Sequence, residues 1–426
     1  MSNIEIPKGY KQTELGVIPD DWEVKELGDI SKIIMGQSPK SVYYNKKGIG
    51  LPLVQGNADI ENRRTIIRNF TSNITKKCNK GSIIMTVRAP VGEIAKSNFD
   101  CCIGRGVCSL EYKNEYLYHK LLLLENHWEK LSRGSTFDSV NSKEVKEILL
   151  SIPSDPKEQE AIANVLSNTD ELIQALEKLI EKKKKIKEGI MQQLLTGKKR
   201  LEGFNDEWEE KKLGDIGICL RGVSYNGSND LYDYENVNSK ILLRSNNIKN
   251  NKLMYKDVQY VKKKRVNELQ ELINNDILIC MANGSKELVG KYALCENISK
   301  NYTFGAFMGC YRIQSENYSK IFISYLFNTK TYRNSIDLEL SGSSINNLKP
   351  SDIEGIKFSL PKSLKEQEAI ANILSDMDSE ITTLNQKLNK YKQIKEGMMQ
   401  QLLTGKIRLN QTLVKSNHFL VNFINK

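Results

Sequence analysis

Between residues 157 and 201 apolar side chains recur at alternating steps of four and three, and the same pattern returns between 365 and 409. That spacing predicts two long helices, each with one apolar stripe of the kind that forms a coiled-coil seam. The first stripe runs through Ile162, Leu166, Thr169, Ile173, Leu176, Ile180, Ile190 and Leu194, interrupted at Lys183 and Lys187. The second runs through Ile370, Leu374, Met377, Ile381, Leu384, Leu388, Tyr391, Met398 and Leu402, interrupted at Lys395. Asp155 with Pro156 and Glu158, and Ser363 with Glu366, read as caps carrying a glutamate at the third helical position. Gly197 and Gly405 read as stops, and Gly189 and Gly397 as points where the last turns bend.

The two helices are copies of one another. Each opens with "KEQEAIAN" (157–164 and 365–372) and closes with "MQQLLTGK" (191–198 and 399–406), and 29 of 45 aligned positions are identical. Two unrelated core helices would not require the same stripe, so the stripes are expected to pair with each other. A weaker echo precedes each copy, "DDWEVKELGDI" at 20–30 and "NDEWEEKKLGDI" at 205–216, which aligns Trp22 with Trp208 and Gly28 with Gly214. If the ends of the intervening domain lie close together, as domain termini often do, the second helix returns alongside the first and the pair is antiparallel. Some 40 helical residues make a rod on the order of 60 Å long. The expected organisation is pseudo-two-fold and nearly circular. It comprises 1–156 (an N-terminal segment and a first domain), 157–201 (central helix), 202–364 (second domain), 365–409 (C-terminal helix) and a tail at 410–426.

Inside the two blocks the period changes from helical to alternating. "KGSIIMTVRAPVGEIA" (80–95) and "NDILICMANGSKELVGKYA" (275–293) each read as a buried strand, a polar turn and a second strand. "RGSTFDSVNSKEVKEILLSIP" (133–153) matches "SGSSINNLKPSDIEGIKFSLP" (341–361) in pattern, and "NEYLYHKLLLLENHWEKL" and "YSKIFISYLFNTKTYRNSI" read as amphipathic helices. Each block is therefore an α/β (α+β) domain of one design. Their loops diverge, as expected of two modules that read different targets.

Composition narrows the class. The 426 residues carry a formal net charge of +11, and residues 22–156 and 208–364 each carry +5, from 20 basic against 15 acidic residues and from 22 against 17. Two basic domains suit a partner with regularly spaced phosphates. No apolar run approaches the roughly 18 residues that cross a bilayer, and the start "MSNIEIPKGYKQTELG" lacks a secretory leader, so a cytoplasmic location is expected. The eight cysteines show no zinc or disulfide spacing and read as buried small hydrophobes or idle thiols. His119 and His127 read as packing or surface residues, and neither they nor His418 has a metal-like spacing. There is no GxxxxGK[ST] loop and no glycine-rich cofactor phrase. The chain is expected to carry out neither methylation nor cleavage by itself.

Taken together, the duplicated "KEQEAIA" opening, the "QQLLTGK" ending, the "DDWEVKELGDI" phrase and the "GSTF" turn before "SIP" resemble the specificity subunit of Type I restriction-modification systems. The resemblance spans almost the whole chain, apart from the tail "NQTLVKSNHFLVNFINK". It implies two target recognition domains, each reading one half of a bipartite double-stranded DNA sequence, with the repeated helices as spacers. It also implies assembly with two methyltransferase subunits and with restriction (translocase and nuclease) subunits. S-adenosylmethionine, ATP and magnesium would then belong to those partners, and no cofactor to this chain.

Arginine reads guanine, asparagine or glutamine reads adenine, and lysine mostly holds phosphate. On that chemistry the DNA-contacting candidates in the first block are Gln55, Asn57, Arg63, Arg64, Arg88, Arg105, Ser135 and Thr136. In the second they are Arg221, Arg244, Asn246, Lys262, Lys263, Lys264, Arg265, Asn283, Lys286, Ser343 and Ser344. For any one of them a solvated surface charge or loop amide is the competing reading. The run Lys182 to Lys185 lies on the helix and is assigned to solvent or a protein partner. A coiled-coil scaffold without DNA recognition would need only the helices and would leave the divergent loops unexplained. A recognition arm of a single-chain restriction enzyme would need catalytic domains for which no residues are left.

Overall fold

The computed structural model describes residues 6–125, 139–299, 301–342 and 346–409. It divides into two compact units: unit one comprises Met1–Lys178 and Asn385–Lys426, and unit two comprises Leu179–Leu384. The division falls within both long helices, Pro156–Leu194 and Leu364–Leu402, so each unit holds part of each. Neither helix breaks at Gly189 or Gly397.

In unit one the leading strand Trp22–Glu26 pairs antiparallel with the trailing strand Leu149–Pro153, which sets Trp22 opposite Pro153. The two ends of the domain are thus neighbours in a single ladder. Between them lie two mixed sheets. The six-stranded sheet is ordered Lys32–Met35, Val107–Glu111, Ile83–Thr86, Ile94–Lys96, Arg64–Thr65 and Ile60–Glu61; the five-stranded one is ordered Lys77–Cys78, Cys101–Ile103, Leu51–Val54, Asn69–Thr71 and Tyr44–Asn45. Unit two repeats the plan. Trp208–Lys212 pairs with Lys357–Pro361, and its four-stranded sheets are Gly217–Arg221, Met308–Ile313, Ile277–Cys280, Tyr292–Leu294 and Leu231–Tyr232, Gln259–Lys262, Ser239–Leu243, Tyr302–Phe304. All eight cysteines are buried and unpaired, several in these strands, where they pack as small apolar groups.

Both expected amphipathic helices differ. Tyr116–Glu125 is buried all round over Tyr116 to Leu121, because it sits in the main core of unit one with Trp22, Leu150, Ile162 and Leu166. The stretch 318–336 in unit two forms two helices, Lys320–Leu326 and Lys330–Ser341, parted where the Thr329 side chain caps the second by accepting from the Tyr332 N–H; the second is amphipathic, burying Tyr332, Ile336 and Leu340 on one face.

Within unit one the first part of the first long helix packs on the last part of the second. Ile162, Ala163, Leu166, Met398 and Leu402 share one core, and Asp170 pairs with Lys395 at 2.6 Å and Glu177 with Lys392 at 2.7 Å. Within unit two Lys183 pairs with Glu380 at 2.7 Å and Lys187 with Asp378 at 2.5 Å. In each unit the partner's number falls as the residue number rises, so the packed segments run antiparallel. The seam positions Ile162, Leu166, Thr169, Ile173, Leu176, Ile180 and Leu194 are buried, as are Ile370, Leu374, Leu388, Met398 and Leu402. Ile190, Met377, Ile381, Leu384 and Tyr391 are half-buried. The three lysines that interrupt the apolar stripes, Lys183, Lys187 and Lys395, all make ion pairs to the opposite helix.

The copied phrases prove to be joints. Asp155 caps the first helix, its Oδ1 accepting from the Lys157 N–H at 2.9 Å, but Glu158 does not complete the cap as the sequence suggested. Its carboxylate, 7% exposed, accepts from Arg408 at 2.6 and 2.8 Å and from the Trp22 indole N–H at 3.3 Å, while Arg408 also binds Asp21. Glu366, 1% exposed, does the same with Arg200 (2.6 and 2.8 Å) and Trp208 (3.4 Å). A carboxylate this deeply buried must be paired and hydrogen-bonded, and the guanidinium provides both. The next residue locks helix to strand: Gln159 Nε2 donates to the Pro153 carbonyl at 2.7 Å, and Gln367 Nε2 to Pro361 at 2.9 Å. The closing glycines complete each joint. Gly197 and Gly405 have φ of 69° and 72°, and a side chain would meet the Trp208 ring at the first and Pro19, with the Trp22 ring behind it, at the second.

Candidate nucleic-acid interface

Four chain turns converge in each unit, and their backbone hydrogen bonds correspond one for one. In unit one Gly36 N–H donates to the Val107 carbonyl (3.0 Å), Gln37 to Ile103 (2.9 Å), Gly104 to Val54 (2.8 Å) and Val87 to Gly106 (2.9 Å). In unit two the matching bonds are Gly222 to Met308 (3.2 Å), Val223 to Phe304 (2.8 Å), Gly305 to Leu243 (3.0 Å) and Met281 to Phe307 (2.9 Å). The approach is so close that a Cβ on Gly36 would lie 2.1 Å from the Gly104 carbonyl, and one on its counterpart Gly222 would lie 1.9 Å from the Gly305 carbonyl. Such contacts fix the backbone and leave the exposed turn residues free to differ.

They do differ. In unit one the frame carries Gln55, Arg88 and Arg105, with Asn57 exposed at the start of the turn Asn57–Asp59. Gln55 Nε2 donates to the Tyr44 hydroxyl at 2.8 Å, whereas the side chains of Arg88 and Arg105 are exposed. In unit two Arg244 takes the place of Gln55. The Gln55 N–H donates to the Asp59 carboxylate at 2.7 Å, and the Arg244 N–H to Asn247 Oδ1 at 2.9 Å. Arg244 Nη2 and Asn246 Nδ2 both donate to the Asp257 carbonyl, at 3.4 and 3.2 Å, and the buried Arg244 Nε has no partner among the described residues. Asn283 joins them through Nδ2, which donates to Ser245 Oγ at 3.3 Å.

Other sequence candidates lie elsewhere. Arg63 is committed to Glu125 at 2.6 Å and also reaches the Ile94 carbonyl. Arg64 lies on the strand beside Lys96, and burial together with that arginine pushes the Lys96 ammonium down to about 8. Lys262, Lys263, Lys264 and Arg265 form a second basic group at the end of strand Gln259–Lys262: Lys262 donates to the Asn229 carbonyl at 2.5 Å and Arg265 pairs with Asp230 at 2.9 Å. The Asn226 backbone N–H and then Arg265 hold the Asp230 carboxyl below its usual range. Arg221 and Lys286 are exposed. Ser135, Thr136, Ser343, Ser344 and His127 lie outside the described residues. Ala306 and Phe307, both exposed at the tip of the turn that matches Arg105 and Gly106, escaped the sequence reading. The signal was the glycine-led turn after a buried strand, "IGRGV" against "FGAFM", which polar-residue chemistry passes over.

The family model described as the Type I restriction modification DNA specificity domain matches the chain twice, at residues 19–188 and 205–395. The chain belongs to this specificity-subunit family. The MjaVIII specificity subunit of Methanocaldococcus jannaschii is 24% identical over 426 aligned positions, covering 92% of this chain and 94% of that protein. The MjaX specificity-subunit sequence of the same organism is 38% identical over 202 residues, 46% of this chain, so the match spans about half of that relative's length (47%). A crystal structure of the Type I S subunit from M. genitalium shares the fold, with a TM-score of 0.59 at 17% identity over 89% of this chain and 96% of that one. Recognition of DNA sequence is the role that goes with the specificity family. Among the described residues no helix is long and apolar enough to cross a membrane, and no group of three or more His, Cys, Asp or Glu is arranged to hold a metal ion.

Proposed function

We propose that each unit reads one half of a bipartite duplex target, that the long helices set the spacing between the halves, and that they dock two methyltransferase subunits. This chain supplies sequence recognition and its partners supply the chemistry. One observation carries the reading: two units share a hydrogen-bonded turn frame, residue for residue, yet present different side chains on it, Gln55, Arg88 and Arg105 in one and Arg244, Asn246 and Asn283 in the other. A common backbone with exchanged donors and acceptors is what two readers of different sequences require. The antiparallel ion pairs within each unit support a spacer of pseudo-two-fold, nearly circular design. Exposed Leu172, Leu179 and Ile186 recur every seven residues on the first long helix and support a docking role for its outer face.

The test maps methylated adenines across the host genome with the gene intact, deleted, or carrying Arg105→Ala or Arg244→Ala. The intact gene is expected to give a motif in two parts that disappears on deletion. Arg105→Ala should relax one position in one part, and Arg244→Ala one position in the other. A single uninterrupted motif, or relaxation of the same part by both variants, overturns the proposal.

A further inference from the structure

On the frame shared by the two units, the turn Gly104–Arg105–Gly106 corresponds to Gly305–Ala306–Phe307. Unit one exposes an arginine there, and unit two exposes a methyl group and a phenyl ring, with Phe307 72% accessible. The ring is not held out by strain or disorder. The Phe307 carbonyl accepts from both Met281 N–H (2.9 Å) and Ala282 N–H (3.1 Å), and Gly305, Phe304 and Met308 on either side are buried. Ala282 leads directly into Asn283, which bonds to Ser245 between Arg244 and Asn246, and a Cβ on Gly305 would lie 3.8 Å from Arg244 Cγ, so the turn that bears the phenyl ring adjoins the segments that supply the donors of unit two.

An exposed phenylalanine on a turn beside arginine and asparagine donors has a natural counterpart on duplex DNA. In the major groove each base pair shows hydrogen-bonding groups, and thymine alone adds an apolar one, the 5-methyl group, which alanine and phenylalanine side chains contact. Arginine at the same place pairs with guanine. We infer that Ala306 and Phe307 form a thymine-reading contact, with the phenyl ring covering the 5-methyl group of a thymine in the half-site of unit two, where unit one offers Arg105. The inference rests on the proposed reading of unit two as a DNA-recognition domain and adds the base and the atom that it recognises.

The experiment uses the full chain together with the methyltransferase subunits of its system and a duplex carrying the two-part motif. Each thymine of the unit-two half is replaced in turn by deoxyuridine, which removes only the methyl group. Wild type is expected to bind one of these duplexes about four-fold more weakly, the ~0.8 kcal/mol of one buried methyl-sized group. Phe307→Ala should bind the thymine and uracil forms of that duplex equally, and Phe307→Leu, which keeps an apolar side chain, should restore part of the difference. Equal binding of every uracil duplex by wild type, with the two-part preference intact, overturns the thymine contact and leaves the reading of unit two standing. So does a Phe307→Ala variant that weakens the thymine and uracil forms alike. Loss of any sequence preference in the unit-two half removes both.

Discussion

Units one and two meet the long helices through the same residues and yet tolerate opposite chemistry at that meeting. In unit one His119 Nε2 lies 3.0 Å from Ser167 Oγ, and its Nδ1 stands 4.0 Å from Asp170, which pairs with Lys395. In unit two Tyr325 donates to Asp378 at 2.9 Å and lies 3.2 Å from Ser375, and Asp378 pairs with Lys187. Serine, aspartate and lysine are the same three residues of the repeat, and only the domain side changes. At the next position unit one buries Lys120, 4% exposed, donating to Ser151 Oγ (3.0 Å) and the Leu403 carbonyl (2.7 Å), where unit two buries Leu326. The helices therefore present the same serine, aspartate and lysine to both domains; Tyr325 bonds to the serine and the aspartate, whereas His119 reaches only the serine and its buried Nδ1 has no hydrogen-bond partner among the described residues.

The joints offer the largest effect that can break this symmetry. Glu366→Ala leaves Arg200 and the Trp208 N–H without their buried acceptor, and unit two should lose about 3–5 kcal/mol. Glu158→Ala should cost unit one less, since Arg408 keeps Asp21. Urea unfolding of the two variants followed by tryptophan fluorescence gives the ranking, and an equal or reversed loss refutes the compensation of Arg408 by Asp21.

The buried His119 and Lys120 should make the pH dependence of unit one its own. Desolvation brings the Lys120 ammonium down to about 7 from near 10.5. Between those values the unfolded chain binds the proton that the folded chain does not, so this group makes stability rise with pH across the window, by up to ~1.4 kcal/mol per unit. Lys120→Met should remove that slope. Burial, then Lys395 and Lys96, hold the His119 imidazole down at about 3 from near 6.5. Stability is accordingly lost as pH falls from about 6.5 towards 3, and His119→Tyr, the unit-two residue, should flatten that limb. Denaturant midpoints between pH 4 and 10 measure both, and slopes unchanged by the substitutions would show that unit one has no titration of its own. The smallest effect belongs to the rim: Lys392→Ala breaks a half-exposed pair with Glu177 and should cost no more than ~0.5 kcal/mol in the same measurement.

Much of this was legible in the chain. The apolar period located the start of both long helices to within one residue and overran their ends, Leu194 and Leu402, by seven, and Trp22 and Trp208 marked the two joints because a repeat shows its functional positions by what it copies. Glu158 and Glu366 were misread as caps, since a glutamate three residues into a helix looks the same in sequence whether its carboxylate turns back to the backbone or out to a distant arginine. His119, read as a packing or surface residue, is buried, and its partners lie 48 and 51 positions away on the helix, where no local pattern names them. Candidate DNA contacts chosen by side-chain type included Arg63, whose guanidinium is occupied by Glu125. Phe307 was passed over because its significance comes from a turn geometry shared with Gly106, which only the backbone reveals.

The joint of Trp22 has a consequence for how the protein is made. Its indole is sealed by Gly405 and Arg408, among the last described residues to leave the ribosome, whereas everything unit two needs has been synthesised by Leu384. Domains ordinarily fold in the order in which they emerge. Here the second must be finishable while the first is still open, so the nascent chain has to carry an uncapped Trp22 core through most of its translation.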